Sequence, residues 1–560
     1  MRVKLLWPIP VKWPGMSWVQ NYTPAGGSLM WSAGVAAIPL VVLLVLLGGF
    51  RKSGWLSALA ALAAAFGVVT TVYGMPASLA LSASAYGAAF GLFPICWIMF
   101  WSIVLYRMTL ATNRFEIIKD SIGSLTGDRR LQALLIAFCF GAFVEGAAGF
   151  GAPVAVAAAM LTGLGFSPFY AAGICLLANT APVAFGSIGI PVLTLAGITG
   201  LPPELLSAMV GRLCAPVSLI IPAYLVVVMG GWRALRGVWP AAAACGVAYA
   251  GAQIIVSNLL GPQLTDILSS LAGMVALIAV LKTWKPRDSF ALPGDSELRG
   301  QPPHHTANEV FKAWLPYGFL VLCVLAWGSE WVKPLLGRST FLLDWPLLHN
   351  AILQQAPAVA HAGPYAARYK VDWLTASGTA CLLACLLTAV AARMRPSLFL
   401  KVVRETAVQL ARPILTVSAV LALAFLMNYS GATATLGLGL AATGVAFPFF
   451  SAMLGWIGVF LTGSDTSANA LFGSLQVVTA NHLKLSPVLM AAANSSGGVM
   501  GKMISLQSIA VAVAATGLAQ GDESRLFRFT LKHSILLASM IGLIVLFYAY
   551  VMPGWVPGWR

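Results

Sequence analysis

Twelve stretches of roughly 20 mostly apolar residues recur along this chain, near 31–50, 55–73, 88–106, 168–199, 205–230, 238–260, 265–281, 313–332, 373–392, 411–428, 487–518 and 533–552. Each is long enough to cross the hydrocarbon core of a bilayer, about 30 Å at about 1.5 Å per helical residue. Only 9% of the 560 residues are charged, against about 25% in soluble domains. Such a chain lacks the polar surface that a soluble multi-domain protein needs, and disorder, collagen and coiled-coil readings fail for the same reason. The expected fold class is an all-α polytopic membrane protein. It has about 12 transmembrane helices plus two re-entrant hairpins in an inverted repeat.

The net charge of +16 fits loop cations that fix orientation better than a nucleic-acid partner. With the N-terminus outside, 22 of the 33 Lys and Arg fall in cytoplasmic segments and nine in outer ones. The 40-residue outer link 333–372 holds four of those nine and fits least well. Arg212 and Lys502 fall inside spans, and the acids Glu145 and Asp465 lie well inside the two further apolar stretches 131–166 and 448–483. The eight cysteines lie in apolar stretches without a CxxC pair, so neither a disulfide nor a metal is expected. Residues 1–30 lack the continuous apolar core of a cleavable signal. Their tryptophans Trp7, Trp13 and Trp18, with Trp31, read as an interfacial anchor. The expected organisation is this interfacial segment, a first membrane half over 31–281, a cytoplasmic polar linker over 282–312 and a second half over 313–560.

Two stretches resemble each other. FVEGAAGFGAPVAVAAAMLTGLGFSPFYAAGICLLANTAPVAFGSIG (143–189) and FLTGSDTSANALFGSLQVVTANHLKLSPVLMAAANSSGGVMGKMIS (460–505) follow one plan. An acid sits in a break of small residues; an apolar half-helix, Ser-Pro, and Ala-Asn-Thr or Ala-Asn-Ser follow. The breaks place hairpins over 131–166 and 448–483, with tips at Gly146, Gly149 and Gly151 and at Gly463, Ser464 and Thr466. Each copy follows a connector (113–128, 430–447) and a full span. The assigned topology inserts the copies upside down to each other, as in secondary transporters, whose broken helices meet at the midplane. Irregular backbone at that depth lines a cavity or is buried in protein, and half-helix N-termini suit an anion. The competing reading of the glycines is close helix packing through small residues.

A carboxylate at membrane depth is costly to hold ionised. Glu145 and Asp465 are therefore candidate proton carriers, the alternative being structural acids that cap the hairpin tips. Asn179-Thr180 and Asn494-Ser495-Ser496 offer donors and acceptors that could satisfy freed backbone or hold a small polar ligand; Ser187 and Thr466 are weaker candidates. Lys502 and Arg212 could pair with a substrate carboxylate or with the buried acids, and Arg212 could equally snorkel to an interface. GGVMGKM (497–503) has the wrong glycine spacing for a phosphate loop. His304-His305 lacks further ligands at metal spacing, and His482 and His533 lie near span ends, as interfacial residues would. No catalytic set is visible, so an enzyme is not expected, and no cofactor is implied.

QNYTPAGG (20–27), GAFVEGAAGFGAPVAVAA (141–158), ANTAPVAFGSIGIPV (178–192), LTGSDTSANALFG (461–473) and AANSSGGVMGKMISLQS (492–508) resemble bacterial L-lactate permeases. The likeness runs from about residue 16 to the C-terminus, with little of it in 283–312 or 333–372. The resemblance implies proton-coupled uptake of L-lactate, often with D-lactate and glycolate, across the bacterial inner membrane. It also implies membership of the larger ion-transporter group. Asn179-Thr180 and Asn494-Ser495 would then be the substrate clamp, and Glu145 and Asp465 the hairpin-tip acids. The residues alone reach only as far as a small-anion secondary transporter. If Glu145, Asp465, Arg212 and Lys502 are all ionised they cancel, and a bound monocarboxylate then calls for one proton. The alternatives are a sodium-coupled carrier of dicarboxylates or gluconate, and, less favoured, a channel or a membrane sensor.

Overall fold

The computed structural model describes residues 18–149, 151–288, 290, 292, 305–329, 331–359 and 361–559. Trp7, Trp13 and His304 lie outside the described residues. The chain is a mostly helical membrane protein with two small sheets. Among the described residues ten helices are long and apolar enough to cross a bilayer, and twelve if each of two bent pairs is one span. Their outward faces are apolar as well: Trp232, Val247, Leu322, Val390 and Leu543 are all more than half exposed. That is the surface a lipid solvent selects, because its tails are as apolar as the protein interior.

Several elements differ in extent from the hydropathy reading. The helix expected at 88–106 spans Ala77–Ala111, bent where Phe93 leaves helical geometry ahead of Pro94; Ser78, Ser82 and Ser84 had diluted the hydropathy of its first turns. Pro396–Ser430 is likewise longer than the expected 411–428. Ser377–Ala391 has only 15 residues. Pro203–Leu259 is one run of 57 residues, about 85 Å if straight, and is divided at Gly230 and Gly231, where φ turns to −150° and +70°. His533 is not interfacial: it is buried, and its Nδ1 lies 2.6 Å from the Tyr224 hydroxyl.

The outer link 333–372 is folded. Phe341–Asp344 pairs antiparallel with Arg368–Val371, and the Asp344–Arg368 partners form an ion pair at 3.1 Å. Ile352–Gln354 lies between Trp18–Val19 and Gly363–Pro364. Gln20 carries this cap down onto the membrane helices: its buried amide donates to the carbonyls of Asn428 and Tyr429, 3.0 and 2.8 Å away. Those carbonyls lie at the C-terminal end of Pro396–Ser430, where orphan acceptors need a partner.

Two series of elements run in the same order. A long helix (Ala77–Ala111) leads to a short one (Arg114–Gly123), a hairpin (Arg129–Ala147 and Ala152–Gly163) and a helix broken by 63° (Pro168–Ala178 and Val183–Thr199). Later, Pro396–Ser430 leads to Ala432–Leu440, a hairpin (Phe447–Thr462 and Asp465–Leu483) and a helix broken by 42° (Pro487–Ile504 and Leu506–Thr516). Both broken helices start Ser-Pro because proline is preorganised for the first helical turn and has no N–H to orphan. Ser486 also caps its helix by accepting from the Leu489 N–H. Every residue of the arm Arg129–Ala147 is buried within the protein, so the first hairpin is wrapped by other helices.

The base of that hairpin is tied down by Arg130, which is fully buried. Its guanidinium bridges Asp128 (2.7 Å), Asp288 (2.8 Å) and the Ala234 carbonyl (3.2 Å). The Arg130 hydrogen bonds hold the Asp288 carboxyl below its usual pKa. That contribution is present above the ordinary carboxylate range and is lost as pH falls through the lowered value. Asp288 is half exposed, so its share is below about 1 kcal/mol. Arg130→Gln, which removes every arm at once, is expected to cost about 3 kcal/mol, read as a lower unfolding temperature in detergent.

Candidate functional site

The hairpin tips are built where the chain needs a left-handed residue. Gly149 (φ +58°) and Gly151 (φ +85°) turn the first hairpin, and Gly463 (φ +72°) turns the second. A Cβ on Gly149 would lie 2.0 Å from Ser187 Oγ, which donates to the Ala148 carbonyl at 2.9 Å. Ser464 caps Asp465–Leu483 by accepting from the Ser467 N–H. Asp465 thus enters the first turn of that helix, where a carboxylate favours the positive end of the dipole.

The first broken helix opens at Asn179, as expected, and stays irregular as far as Ser187, Ile188 and Gly189, all at positive φ. The second does not break at Asn494-Ser495-Ser496. These residues lie inside the continuous helix Pro487–Gly501, and the bend comes at Ser505. The adjoining glycines serve packing instead. A Cβ on Gly497 would lie 2.1 Å from the Ala452 carbonyl, and one on Gly501 2.4 Å from that of Trp456. Close packing, the competing reading of the glycine run, therefore holds for this copy.

The two halves meet on one cavity of about 620 Å³. Glu145, Gly186 and Ser187 enter it from the first half; Gly463, Asp465 and Lys502 enter it from the second. Lys502 is buried, donates from Nζ to the Gly463 carbonyl at 2.6 Å, and stands within electrostatic reach of Glu145 and Asp465. Asp465 Oδ2 accepts from Ser495 at 2.6 Å and from Asn469 at 3.2 Å, whereas Oδ1 is buried without a partner. Glu145 Oε1 sits where a Cβ on Gly186 would approach to 2.6 Å, so glycine there keeps the carboxyl accessible to the cavity. Arg51, Lys52, Arg412 and Glu523 line the cavity farther out, on the face that the cation count assigns to the cytoplasm. At the opposite end Asn469 donates to the Pro191 carbonyl at 3.2 Å, and a Cβ on Gly473 would lie 2.7 Å from Leu195, so Asp465–Leu483 and Val183–Thr199 close on each other there.

Not every expected residue joins the cavity. Asn494 is fully buried, donating to Asn469 Oδ1 at 2.9 Å and accepting from Gln476 at 3.1 Å, so it braces the second hairpin. Thr180 donates to the Leu177 carbonyl, and the Ser496 hydroxyl is buried without a partner. Asn179 lies beside the Glu145 carboxyl, with no formed hydrogen bond on either amide atom. Thr466 lines the cavity; Gly146 does not, and backs onto Asp266 instead. Arg212 is elsewhere: its guanidinium donates to Asn258 Oδ1 at 2.8 and 3.0 Å and to the Trp555 carbonyl. The cancelling set of four charges is therefore not assembled. Asn469 and Gln476 are site neighbours outside the expected set, although Asn469 is one helical turn from Asp465 and shares its face. Asp266 was hidden at the edge of a loop. Among the described residues no three His, Cys, Asp or Glu are grouped for a metal.

The sequence matches the family model described as L-lactate permease over residues 32–552. It is 47% identical to the L-lactate permease of Bacillus subtilis (strain 168), covering 97% of this chain and 100% of that one. It is 44% identical to the L-lactate permease of Escherichia coli (strain K12), covering 96% and 100%. It is 45% identical to the glycolate permease GlcA of the same strain, covering 96% and 99%. Among solved structures, the Alcanivorax borkumensis YdaH transporter aligns with a TM-score of 0.44 at 14% identity, over 85% of this chain and 88% of that one.

Proposed function

Since this chain belongs to the L-lactate permease family, a family of multi-pass inner-membrane transporters rather than enzymes, we propose that it takes up L-lactate, with D-lactate and glycolate, together with one proton by alternating access. The single observation that carries this reading is the shared cavity: Glu145, Asp465 and Lys502 converge there from both halves of the chain. A 2-hydroxy monocarboxylate offers one anionic end and one hydroxyl. Lys502 receives the carboxylate, helped by the N-terminus of Asp465–Leu483, while Ser187 and Glu145 face the hydroxyl side. Pairing with the substrate draws Lys502 from the Gly463 carbonyl and so loosens the second hairpin tip. The two element series are read as oppositely inserted halves, and the cavity as open to the cytoplasm.

At the buried end of the cavity one cation, Lys502, stands among two acids, so no surplus positive charge awaits an arriving anion there; Arg51, Lys52 and Arg412 are exposed at its outer end. Coulomb terms are strong at low dielectric, so a proton accompanies the carboxylate and transport is electroneutral. In proteoliposomes an inward proton gradient is expected to drive labelled lactate accumulation, and a membrane potential alone to drive none. Sizeable potential-driven accumulation would refute the one-to-one coupling. Competition by glycolate but not by succinate or gluconate, without dependence on sodium, is expected as well. The sodium-coupled dicarboxylate alternative is not favoured, because its ligand calls for a second fixed cation beside Lys502; Arg212 is engaged elsewhere and Arg51, Lys52 and Arg412 line only the exposed outer part of the cavity.

A further inference from the structure

Behind the first hairpin lies a buried carboxyl that the cavity does not use. Asp266 stands in the first turn of Thr265–Thr283 and is 1% exposed. Neither of its oxygens has a hydrogen-bond partner. A Cβ on Gly146 would lie 2.7 Å from Asp266 Cβ, so this acid packs on the backbone one residue from Glu145. It follows directly on the turn 260–264, which the cation pattern assigns to the outer face, whereas the cavity opens toward the other.

The surroundings are equally unsatisfied. The Tyr249 hydroxyl, which faces Asp266, is buried and unpartnered, as is Glu145 Oε2, and Asn179 lies beside the Glu145 carboxyl with no well-formed hydrogen bond. Buried polar atoms are nearly always paired, so a group of orphans clustered about two acids calls for a role. Among the described residues the titratable groups that face Asp266 are Glu145 on the hairpin, and Cys214 and Tyr249 on Pro203–Leu259. Cys139 and Cys245 adjoin Tyr249, and Val183–Thr199 contributes no titratable side chain. A carboxylate without a donor or a cation is untenable in such a place, and the neutral acid is the form that fits.

We propose that Asp266 is a second proton-binding carboxyl of the carrier, exchanging its proton with Glu145 Oε2 across the Gly146 contact. This rests on the proton-coupled reading above. When the first hairpin moves, Glu145 and Asp266 change surroundings together, and the proton passes from one carboxyl oxygen to the other.

The test uses the full chain in liposomes, with labelled L-lactate. Gradient-driven accumulation and counterflow are measured side by side from pH 5.5 to 8. Asp266→Asn is expected to lower the ratio of driven uptake to counterflow roughly tenfold or more and to flatten its pH profile. Asp266→Glu is expected to restore driven uptake with a displaced profile. A purely packing role would lower both activities together and leave the profile in place, and that result overturns the proposal. An Asp266→Asn protein as gradient-dependent as wild type overturns it too. If the asparagine variant is not recovered folded, Asp266→Glu carries the test, and an unmoved pH midpoint overturns the proposal. Wild-type protein indifferent to the gradient removes the proton-coupled reading itself, a separate outcome.

Discussion

Lys502→Gln is expected to lower both the amount of folded protein and, by roughly a hundredfold or more, lactate uptake per folded molecule. The side chain is buried, donates to the Gly463 carbonyl, and faces Glu145 and Asp465 across the cavity. Its removal leaves two acids without a cation, and removing one partner of a buried pair costs about 3–5 kcal/mol. That cost falls on whichever acid stays ionised, and it falls most heavily in the state that must also admit an anion. Lys502→Gln combined with Asp465→Asn removes an acid with the base, so it is expected to recover folded protein and not transport, because nothing then receives the substrate carboxylate. The arms are membrane quantity by immunoblot and initial uptake rate. Lys502→Gln working at wild-type rate at equal abundance would sink the assignment.

The membrane class, the hairpins and the first break were legible because each rests on a local signal. A run of apolar residues, a glycine at a turn and Ser-Pro at a helix start need no tertiary context. The second break falls at Ser505 rather than at Asn494. Asn-Ser-Ser-Gly-Gly has the composition of a helix interruption, but Gly497 faces the backbone of Phe447–Thr462 and Gly498 faces the Asp465 carboxyl, and only the packed partners reveal that. For Arg212 the sequence leaves two readings open, because depth along a span says nothing about which face a side chain takes; its partners Asn258 and Trp555 lie 46 and 343 residues away. Asp266 escaped notice since a carboxyl at the edge of a short loop reads as solvated. Only the fold puts Gly146 against it. What the chain hides, then, is contact across the halves.

Gly455→Ala is expected to be the most damaging single methyl in the second hairpin. A Cβ there would stand 1.8 Å from the Asn494 carbonyl oxygen and 2.7 Å from its carbon. The obstacle is backbone, so no rotamer change relieves it, and the helices Phe447–Thr462 and Pro487–Gly501 must part. Overpacking a filled interior costs about 1–3 kcal/mol, occasionally more, and backbone against backbone belongs at the upper end. Gly67→Ala provides the contrast, since nothing lies within 4 Å of its added Cβ and a mid-helix glycine gives up about 0.5–1 kcal/mol relative to alanine. Thermal unfolding in detergent should therefore fall clearly for Gly455→Ala and hold or rise slightly for Gly67→Ala. The displacement also reaches the site. Asn494 donates to Asn469, and Asn469 donates to Asp465, so helices forced apart at Gly455 loosen the acid at the tip of the second hairpin. Lactate uptake per folded molecule should fall in Gly455→Ala as well. If stability drops while uptake per folded molecule stays at the wild-type level, Asn494 braces the helix pair alone and Asp465 is held by Ser495.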